Sequence, residues 1–463
     1  MLKRFVFALG LAGAVAGLFT AAEPPASAPD ERTGLRVATF DVDATPPVGS
    51  WMAYDPVTNR WDLGLRARGM VLLGAGEPIV LCAVDWIGLA NEGHEAFRLA
   101  LAGSAGTSPT RVTVHALHQH DAPNCDFSAE RILIEAGVDP GPFEGSFQRG
   151  VLVDLGRAVS ESLPRARPVT HVGLGQALVD RVASNRRIKG ADGKVRATRW
   201  TATRDPELRA EPEGKIDPMV SVISLWNGQE PVVVLSYYAT HPQSYYRTGL
   251  PNPDFPGVAR FFRQLAVPAA LHIHFTGAGG NLGAGKYNDG SPENRLLLAE
   301  RLADGMRRAW EETVREPIES GDVHWAVESV ALPVAAHLSA AQLESMVGEG
   351  SAAAVGAASR LAWVRRCAAG RRVDLPVLSL GRARVLHLPG ELFVEYQLAA
   401  KAMRPDLFVA MAAYGDYAPW YIGTEAAYAE GGYETQPSAS NVAPEVESVL
   451  LGAMAKLLEA GRP

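Results

Sequence analysis

The sequence has few cysteines for a chain of its length. Only Cys82, Cys125 and Cys367 occur among 463 residues, so at most one disulfide can form. A disulfide-rich scaffold is therefore excluded. Apolar residues make up 47% of the chain and charged residues 21%, which is typical of a globular protein with a large core. Stability must come from packing.

Long apolar runs are missing after the N-terminal segment. The run 5–19 follows "MLKR" and precedes the small-residue segment "TAAEPPASA", an order typical of a secretory signal. The alternative of a membrane anchor is disfavoured because the run is too short to span a bilayer comfortably. We predict a signal peptide over 1–22, a leader over 23–34, and a periplasmic or secreted mature protein without a transmembrane segment.

The chain also lacks an excess of basic residues and an internal boundary. Its 44 Lys and Arg against 51 Asp and Glu give a net charge of -7, which argues against nucleic acid or anionic lipid as partners. No Pro/Ser-rich linker, charge block or repeat divides the sequence. We predict one large domain over 35–463.

What the sequence does contain is an alternation of short apolar runs with helical patterns. Runs such as "PIVLCAVDWIGL", "PVVVLSYYATH" and "ALHIHFTGAG" indicate mostly buried strands. Helices are predicted over 92–101, 147–163, 256–265, 292–311 and 444–460, and Ser291 is expected to cap the fourth of these. The Ala-rich segment 339–370 predicts two surface helices without chemistry. The alternation predicts an α/β fold, with a layered mixed β-sheet and flanking helices.

A glycine-rich stretch, "HFTGAGGNLGAGKYNDG", resembles two nucleotide-binding loops without matching either. A phosphate-binding loop needs Ser or Thr after Lys286, where Tyr287 stands. A dinucleotide loop needs glycine at position 282, which is Leu282. We therefore predict no nucleotide partner.

Polar side chains gather where the predicted strands end. "VTVHALHQHDAPN" carries His118 and His120, "ATHPQSYY" carries His241, and "LPGE" ends at Glu391. Two imidazoles and a carboxylate from separate strands form a good site for a divalent transition metal, most often zinc, with a position open to water. His272 and His274 alternate along another strand and compete as ligands.

Each of these residues also has a purely structural explanation. A single strand-end histidine is more often a hydrogen-bonded core or surface group than a ligand. Glu391 can stabilise the start of a helix through the macrodipole. Tyr421 and Tyr433 can be ordinary core or rim aromatics. Only their joint occurrence at strand ends favours a metal site.

In five places and in the right order, the motifs are similar to those of the neutral, non-lysosomal ceramidases. These are zinc-dependent amidases that cleave N-acyl-sphingosine. "ATFDVDATPPVG" resembles the first strand and turn of that family, "ALHQHDAP" its "ATHTHSGP", "YATHPQS" its "FAVHPTS", and "LPGE" its "VPGE". The tyrosines of "WYIGTEAAYAEGGYE", Tyr421 and Tyr433, have the spacing of "GYVTTPEEYAVQQYE".

The resemblance assigns roles residue by residue. It implies that four side chains hold a zinc ion: His118, His241, Glu391 and Tyr421. It implies that three others surround the scissile carbonyl: His120, Arg186 and Tyr433. Arg187 adjoins Arg186, which makes that assignment the weakest.

Two departures from the family concern the substrate and the nucleophile. Where the family has "GDVSPN", with a serine proposed as nucleophile, this chain aligns Gly283. The glycines of the loop are expected to pass close to substrate or metal with free amides, or to form a plain flexible loop. The chain also ends where ceramidases continue into a β-sandwich.

Taken together, these features predict a secreted zinc hydrolase of neutral ceramidase type. It would cleave an amide bond in a small-molecule or lipid-like N-acyl substrate by metal-activated water. In this scheme His120 carries the proton, and Arg186 and Tyr433 stabilise the oxyanion. The alternatives are a hydrolase of esters, lactones or other acyl compounds, and a non-catalytic binding homologue.

Overall fold

The computed structural model describes residues 34–60, 63–350 and 353–460. The predicted signal peptide and the predicted leader up to residue 33 lie outside these described residues. In the described ranges the α-helices are α1 (Asn91–Ala105), α2 (Phe127–Glu135), α3 (Ser146–Ser162), α4 (Pro206–Ala210), α5 (Asp254–Ala266), α6 (Glu293–Glu311), α7 (Ala340–Gly348), α8 (Ala354–Ala368), α9 (Val394–Met403), α10 (Glu425–Glu430) and α11 (Val446–Glu459).

The strands in the same ranges are β1 (Arg36–Asp43), β2 (Arg66–Leu73), β3 (Ile79–Val84), β4 (Gly88–Leu89), β5 (Val112–Ala116), β6 (Asn124–Cys125), β7 (Arg167–Pro168), β8 (His171–Leu178), β9 (Ser184–Asn185), β10 (Arg187–Lys189), β11 (Val195–Thr198), β12 (Met219–Asn227), β13 (Glu230–Tyr238), β14 (Leu271–Thr276), β15 (Leu282–Gly283), β16 (Val314–Pro317), β17 (Val323–Val330), β18 (Val373–Leu380), β19 (Ala383–His387), β20 (Glu391–Leu392), β21 (Phe408–Ala412) and β22 (Tyr421–Ile422).

Three larger sheets dominate the described part of the chain. Their strand orders are β5-β3-β2-β1-β7, β14-β13-β12-β8-β16 and β17-β18-β19-β21. Within each sheet one strand pair is parallel, β3 with β5, β13 with β14, and β19 with β21, and the remaining pairs are antiparallel. The predicted α/β class with mixed strand pairing is therefore confirmed.

The three sheets share one topology that the sequence does not reveal. In each, three antiparallel strands are followed by a helix, a fourth strand parallel to the third, and a second helix. Unit 1 uses β1, β2, β3, α1, β5 and α3; unit 2 uses β8, β12, β13, α5, β14 and α6; unit 3 uses β17, β18, β19, α9, β21 and α11. A parallel pair ends both of its strands at the same sheet edge, so each unit directs two loops toward one edge.

The sheets pack against one another around a common core, and each is covered outside by its helices. Leu81 of unit 1, Leu235 of unit 2 and Val385 of unit 3 belong to one apolar cluster and are fully buried. The outer face of the unit 1 sheet packs against α1 and α3, that of unit 2 against α5 and α6, and that of unit 3 against α9 and α11. This layered packing holds the strand ends in fixed positions.

The five predicted helices all occur, with ends within four residues of those expected. Ser291 does not cap α6, contrary to the prediction. Its backbone N–H donates to Asp289, and the residue before the helix is Pro292, without a side-chain cap.

The Ala-rich segment forms two helices as predicted, but α8 is not a surface helix. Ala357, Ser359, Leu361 and Trp363 are buried, because α8 packs between α2 and the unit 3 core. Within the described ranges, no helix combines the length and apolar character needed to cross a membrane.

Candidate functional site

The three units bring the predicted ligands together where strand ends of three sheets meet. His118 follows β5 of unit 1, His241 follows β13 of unit 2, and Glu391 follows β19 of unit 3. Tyr421 follows β21, the fourth strand of unit 3, and pairs directly with Glu391 in the short parallel ladder of β20 and β22. The strand ends therefore supply four side chains to one place.

His118 is held in an orientation that exposes one ring nitrogen to Glu391. Its backbone adopts φ 68, a left-handed value that is uncommon for a residue with a side chain. Its Nδ1 lies 2.7 Å from the carbonyl oxygen of Ile87 and donates to it, which leaves Nε2 facing Glu391. That nitrogen lies 3.2 Å from Glu391 Oε2. A histidine held through one ring nitrogen by a backbone carbonyl has the orientation typical of a metal ligand.

His241 and His120 complete the cluster. Ligand atoms of His118, His120 and His241 lie within 4.8 Å of one another, and His241 Nδ1 lies 3.8 Å from Glu391 Oε2. His241 Nε2 and His120 Nε2 are 3.3 Å apart. Burial, and next the neighbouring His118, hold the pKa values of His120 and His241 well below their usual value. Both rings are therefore neutral, the form that binds metals.

Three of the buried polar atoms that lack a hydrogen bond in the described part of the chain lie in this cluster. Glu391 Oε2, His241 Nδ1 and His120 Nδ1 have no hydrogen-bond partner. Buried polar atoms without partners are costly and need an explanation, such as a bound ion. Imidazoles with a carboxylate suit a divalent transition metal, so the residues present fit such an ion.

Glu391 is kept ionised by its surroundings. Burial alone would raise its pKa, but His118, a hydrogen bond from Tyr417 and the charge of Arg186 lower the pKa below its usual value. Tyr417 donates its hydroxyl to Glu391 Oε1 over 2.7 Å, which leaves Oε2 directed at the histidines. Tyr417 lies in the aromatic segment "YGDYAPWY", but its role needed the three-dimensional contact to be recognised.

Arg186 faces the site, whereas Arg187 does not. The Arg186 guanidinium lies 5.4 Å from the ring centroid of Tyr421 and donates to the Gly280 carbonyl over 2.8 Å. Arg187 packs over Phe393 instead, 5.2 Å from its ring centroid. Consecutive residues of an extended segment point to opposite sides, which separates the two arginines.

One buried carboxylate, Glu434, holds both arginines. It accepts from Arg186 Nε over 3.2 Å and from Arg187 Nη1 over 3.0 Å, and its side chain is fully buried. Sequence reasoning missed Glu434, although it directly follows Tyr433. Because a buried charge must be paired, Glu434 fixes where Arg186 can point.

The two tyrosines of the twelve-residue spacing also meet. Tyr421 and Tyr433 pack edge to face, with ring centroids 5.7 Å apart. Burial raises the pKa of Tyr421 well above its usual value, and Arg186 lowers it in part. A phenolate at Tyr421 therefore requires a further cation close by.

The glycine-rich loop serves the site by close backbone packing. A Cβ on Gly280 would lie 2.2 Å from the Glu391 carbonyl oxygen, and the Gly280 amide donates to Leu392 over 2.7 Å. The expectation of a free amide is therefore wrong at Gly280. A Cβ on Gly283 would lie 3.3 Å from Arg186 Cδ, so Gly283 is next to the site.

Lys286, the lysine of the phosphate-loop resemblance, has a structural role. Its ammonium donates to the Arg209 carbonyl over 3.0 Å and to the carbonyls of Ala210 and Glu211, at the C-terminal end of α4. Cations at this position satisfy unpaired helix carbonyls.

A cavity of about 360 Å³ opens over the cluster. Its lining includes His118, His120, Glu391, Tyr421 and Tyr433, together with Tyr417 and Trp420 of the aromatic segment "YGDYAPWY". Among the residues that sequence reasoning did not place at the site, the lining includes Tyr54, Asn124, Phe143, Gly356 and Ser359. Gly356 and Ser359 belong to α8, so the Ala-rich segment does contribute to the site.

The competing histidines of β14 lie elsewhere. Neither His272 nor His274 belongs to the group that can share a metal within the described residues. His274 Nδ1 lies 2.9 Å from the Ser236 hydroxyl, and burial lowers its pKa to about 3. His274 is thus a hydrogen-bonded core residue.

No protein-family model matches the chain, and no curated protein matches it in sequence. Among solved structures, the fold is similar to that of the neutral ceramidase from Pseudomonas aeruginosa and to that of a ceramidase complexed with C2. Each comparison gives a TM-score of 0.66 at 16% sequence identity, over 92% of this chain and 75% of the other. The chain therefore has a neutral ceramidase-like fold.

Proposed function

We propose that this protein is a secreted or periplasmic, zinc-dependent hydrolase that cleaves the amide bond of an N-acyl substrate. One observation carries the proposal. Side chains from three units of a neutral ceramidase-like fold converge beneath a cavity, and the atoms at the point of convergence lack hydrogen-bond partners. Unpaired buried atoms on three neighbouring side chains are costly, and a bound metal ion would satisfy them.

The proposed metal ligands are His118, His241, Glu391 and Tyr421. Ile87 and Tyr417 orient the first and third of these through hydrogen bonds. Such outer partners fix ligand geometry in metal sites. When bound, a zinc ion supplies a Lewis acid that polarises the scissile carbonyl and lowers the pKa of water.

The remaining site residues handle the proton and the developing charge. His120 is neutral, has Nδ1 unpaired and lines the cavity, so it can take up a proton and pass it to the leaving amine. Arg186 and the Tyr433 hydroxyl are proposed to stabilise the oxyanion. Because His120 also lies within the metal-binding group, its variants require metal analysis beside rate measurement.

Water is the proposed nucleophile, since three serine hydroxyls near the site are engaged elsewhere. Ser236 contacts His274, and the Ser244 hydroxyl accepts from Arg295 over 2.9 Å. In the cavity wall, the Ser359 hydroxyl donates to Asp126 over 2.8 Å. We expect serine-directed phosphonates to leave the enzyme unlabelled and active, while hydroxamates and chelators inhibit it. A stable phosphonate adduct on a serine would contradict this proposal.

The substrate is proposed to be more compact or more polar than long-chain ceramide. The cavity wall combines aromatic rings of Tyr54, Phe143 and Trp420 with polar Asn124 and Ser359. Such a wall favours stacking on a compact ligand over burial of two long chains, each methylene of which needs apolar cover worth about 0.8 kcal/mol. We expect kcat/KM for acyl amides to level off at short or medium acyl length. A steady rise out to ceramide would contradict this expectation.

The decisive experiment is metal analysis of the purified protein together with turnover of fluorescent ceramide, simple acyl amides, esters and lactones. We expect about one tightly bound zinc per chain and amide hydrolysis that requires it. Full activity in metal-free protein would refute the metal proposal. Activity confined to esters or lactones would refute the amidase proposal, and zinc binding without any turnover would favour a binding protein.

A further inference from the structure

The loop after β13 folds back over His120. Hydrogen bonds to Asp121, the residue that follows His120, hold this loop in place. The Asp121 carboxylate accepts from the backbone amides of Arg247 and Thr248, at 2.8 and 3.3 Å, and from the Thr248 hydroxyl at 2.7 Å. Asn252 donates to the same carboxylate over 3.2 Å. Asp121 is buried, so this loop is built into the site and does not simply cover it.

Arg247 is held in an unusual backbone conformation within this loop. Its φ is 63, in the left-handed region that costs energy for a residue with a side chain. Such conformations persist where the surrounding contacts enforce them, and here the Asp121 bonds do so. The side chain therefore leaves the backbone in a defined direction.

That direction places the exposed guanidinium over two tyrosines, of which Tyr54 lines the cavity. Its central carbon lies 5.2 Å from the ring centroid of Tyr54 and 5.9 Å from that of Tyr246. Tyr54 in turn stacks on His120, with centroids 5.9 Å apart and planes 9° from parallel. The Tyr54 ring thus lies between the Arg247 guanidinium and His120, the proposed proton carrier.

The charge of Arg247 is not neutralised within the described ranges. No carboxylate there lies within 4.0 Å of its guanidinium, whereas Arg186, deeper in the site, is paired with Glu434. The nearest acidic residue along the loop contact, Asp121, directs its oxygens at backbone amides. A guanidinium that stacks through its faces keeps its N–H edge free for a planar anion.

We infer that Arg247 binds a carboxylate of the substrate, an inference that rests on the proposed function. The substrate class is then an N-acyl compound with a carboxylate on its amine portion or its acyl portion, such as an N-acyl amino acid. A single uncompensated charge matches a carboxylate better than a phosphate, which usually takes several cationic or amide donors. The negative group lies against Arg247 and the acyl amide reaches the metal cluster.

The test compares hexanoylglycine with its uncharged counterpart hexanoylglycinamide, and N-methyladipamic acid with its uncharged primary amide, N-methyladipamide. The first pair places the carboxylate on the amine side of the bond and the second on the acyl side. For zinc-loaded protein we expect kcat/KM to be about tenfold higher for the charged member of at least one pair, as one charge-assisted hydrogen bond provides. Arg247→Gln should abolish that preference and Arg247→Lys should retain part of it.

Arg181 supplies a matched control outside the cavity. It is exposed, has φ 55, and lies 5.7 Å from the Tyr287 ring centroid, so it shares the conformation and ring contact of Arg247. Arg181→Gln should leave the charged-to-uncharged ratio unchanged. A wild-type enzyme without preference, or an Arg247→Gln variant that loses activity equally on both members of a pair, would overturn the inference.

Failure of the inference differs from failure of the proposed function. If the uncharged amides are cleaved and the rates do not depend on Arg247, the amidase proposal stands and the proposed carboxylate site is refuted. If none of the four amides is cleaved, the binding of hexanoylglycine to the protein is measured by calorimetry. Binding that Arg247→Gln weakens about tenfold then supports the carboxylate site without the amidase, and absence of binding removes it.

Discussion

Two buried histidine groups in this molecule have similar composition but opposite hydrogen bonding. In the core pair, His115 Nδ1 lies 2.8 Å from the Ala413 carbonyl and His115 Nε2 lies 3.0 Å from His387 Nδ1. Three of the four ring nitrogens of this pair therefore take part in hydrogen bonds within the core. In the site cluster of His118, His120 and His241, ring nitrogens of His118 and His241 lie 3.2 and 3.8 Å from Glu391 Oε2, and the Nδ1 atoms of His120 and His241 lack a hydrogen-bond partner. Histidines grouped around a carboxylate with ring nitrogens still unpaired fit a metal site, whereas most ring nitrogens of the core pair are already hydrogen-bonded.

The largest effect is expected from removing a ligand of the site cluster. His118→Ala or His241→Ala should abolish tight zinc binding and lower kcat/KM by roughly a thousandfold or more, because metal chemistry carries the proposed reaction. Metal content by mass spectrometry and amide turnover check this. His115→Asn in the core pair should keep the zinc. Loss of zinc in His115→Asn, or its retention in His118→Ala and His241→Ala, would contradict the distinction between the groups.

The next effect concerns the buried carboxylate that orients Arg186. Glu434→Gln should lower kcat by about tenfold to a hundredfold with little change in KM, because Arg186 loses its charged partner and its direction toward the oxyanion. Zinc content should stay unchanged, which separates this positioning role from ligand loss. Glu430→Gln is the matched control, since Glu430 pairs with Arg187 and Lys189 outside the site. Equal losses in both variants would refute the assignment.

The core pair of His115 and His387 should instead affect how the stability of the protein depends on pH. Burial lowers the pKa of His115 to about 3, below an unfolded-state value of about 6.5. As pH falls below 6.5 the unfolded chain therefore binds a proton that the folded chain does not, and stability declines down to about pH 3. His115→Asn should lose about 2 kcal/mol less unfolding free energy than the wild type between pH 7 and pH 5. If urea denaturation shows that both proteins lose the same unfolding free energy across this pH range, the expectation is contradicted.

The smallest effect is expected at Gly283. Its backbone does not have positive φ, so a side chain causes no backbone strain there. A Cβ would lie 3.3 Å from Arg186 Cδ, so Gly283→Ser needs a shift of a few tenths of an ångström in the arginine. We expect kcat to fall by less than about tenfold. We also expect the new serine not to react with phosphonates, because water remains the proposed nucleophile. A gain in activity with phosphonate labelling of the new serine would show that the loop accepts the other mechanism.

The sequence by itself determined the class of fold and where the chemistry lies. Apolar runs bounded by turns predicted the α/β alternation, and the five helices were located because apolar periodicity is a local property. The candidates His118, His241 and Glu391 were also found locally, each beside a turn at a strand end, whereas Tyr421 was proposed as a ligand only through the resemblance to ceramidases. Their roles remain predictions until metal and activity are measured.

Only the tertiary structure decided which candidates meet. His115, His118 and His120 are close in sequence, yet His115 faces the core, His118 faces Glu391, more than 270 residues away, and His120 faces His241. The threefold topology, the clamp of Glu434 on Arg186 and the ring of Tyr54 on His120 all join distant segments. Such contacts depend on how separate units pack around one core, and no local pattern of residues encodes that packing.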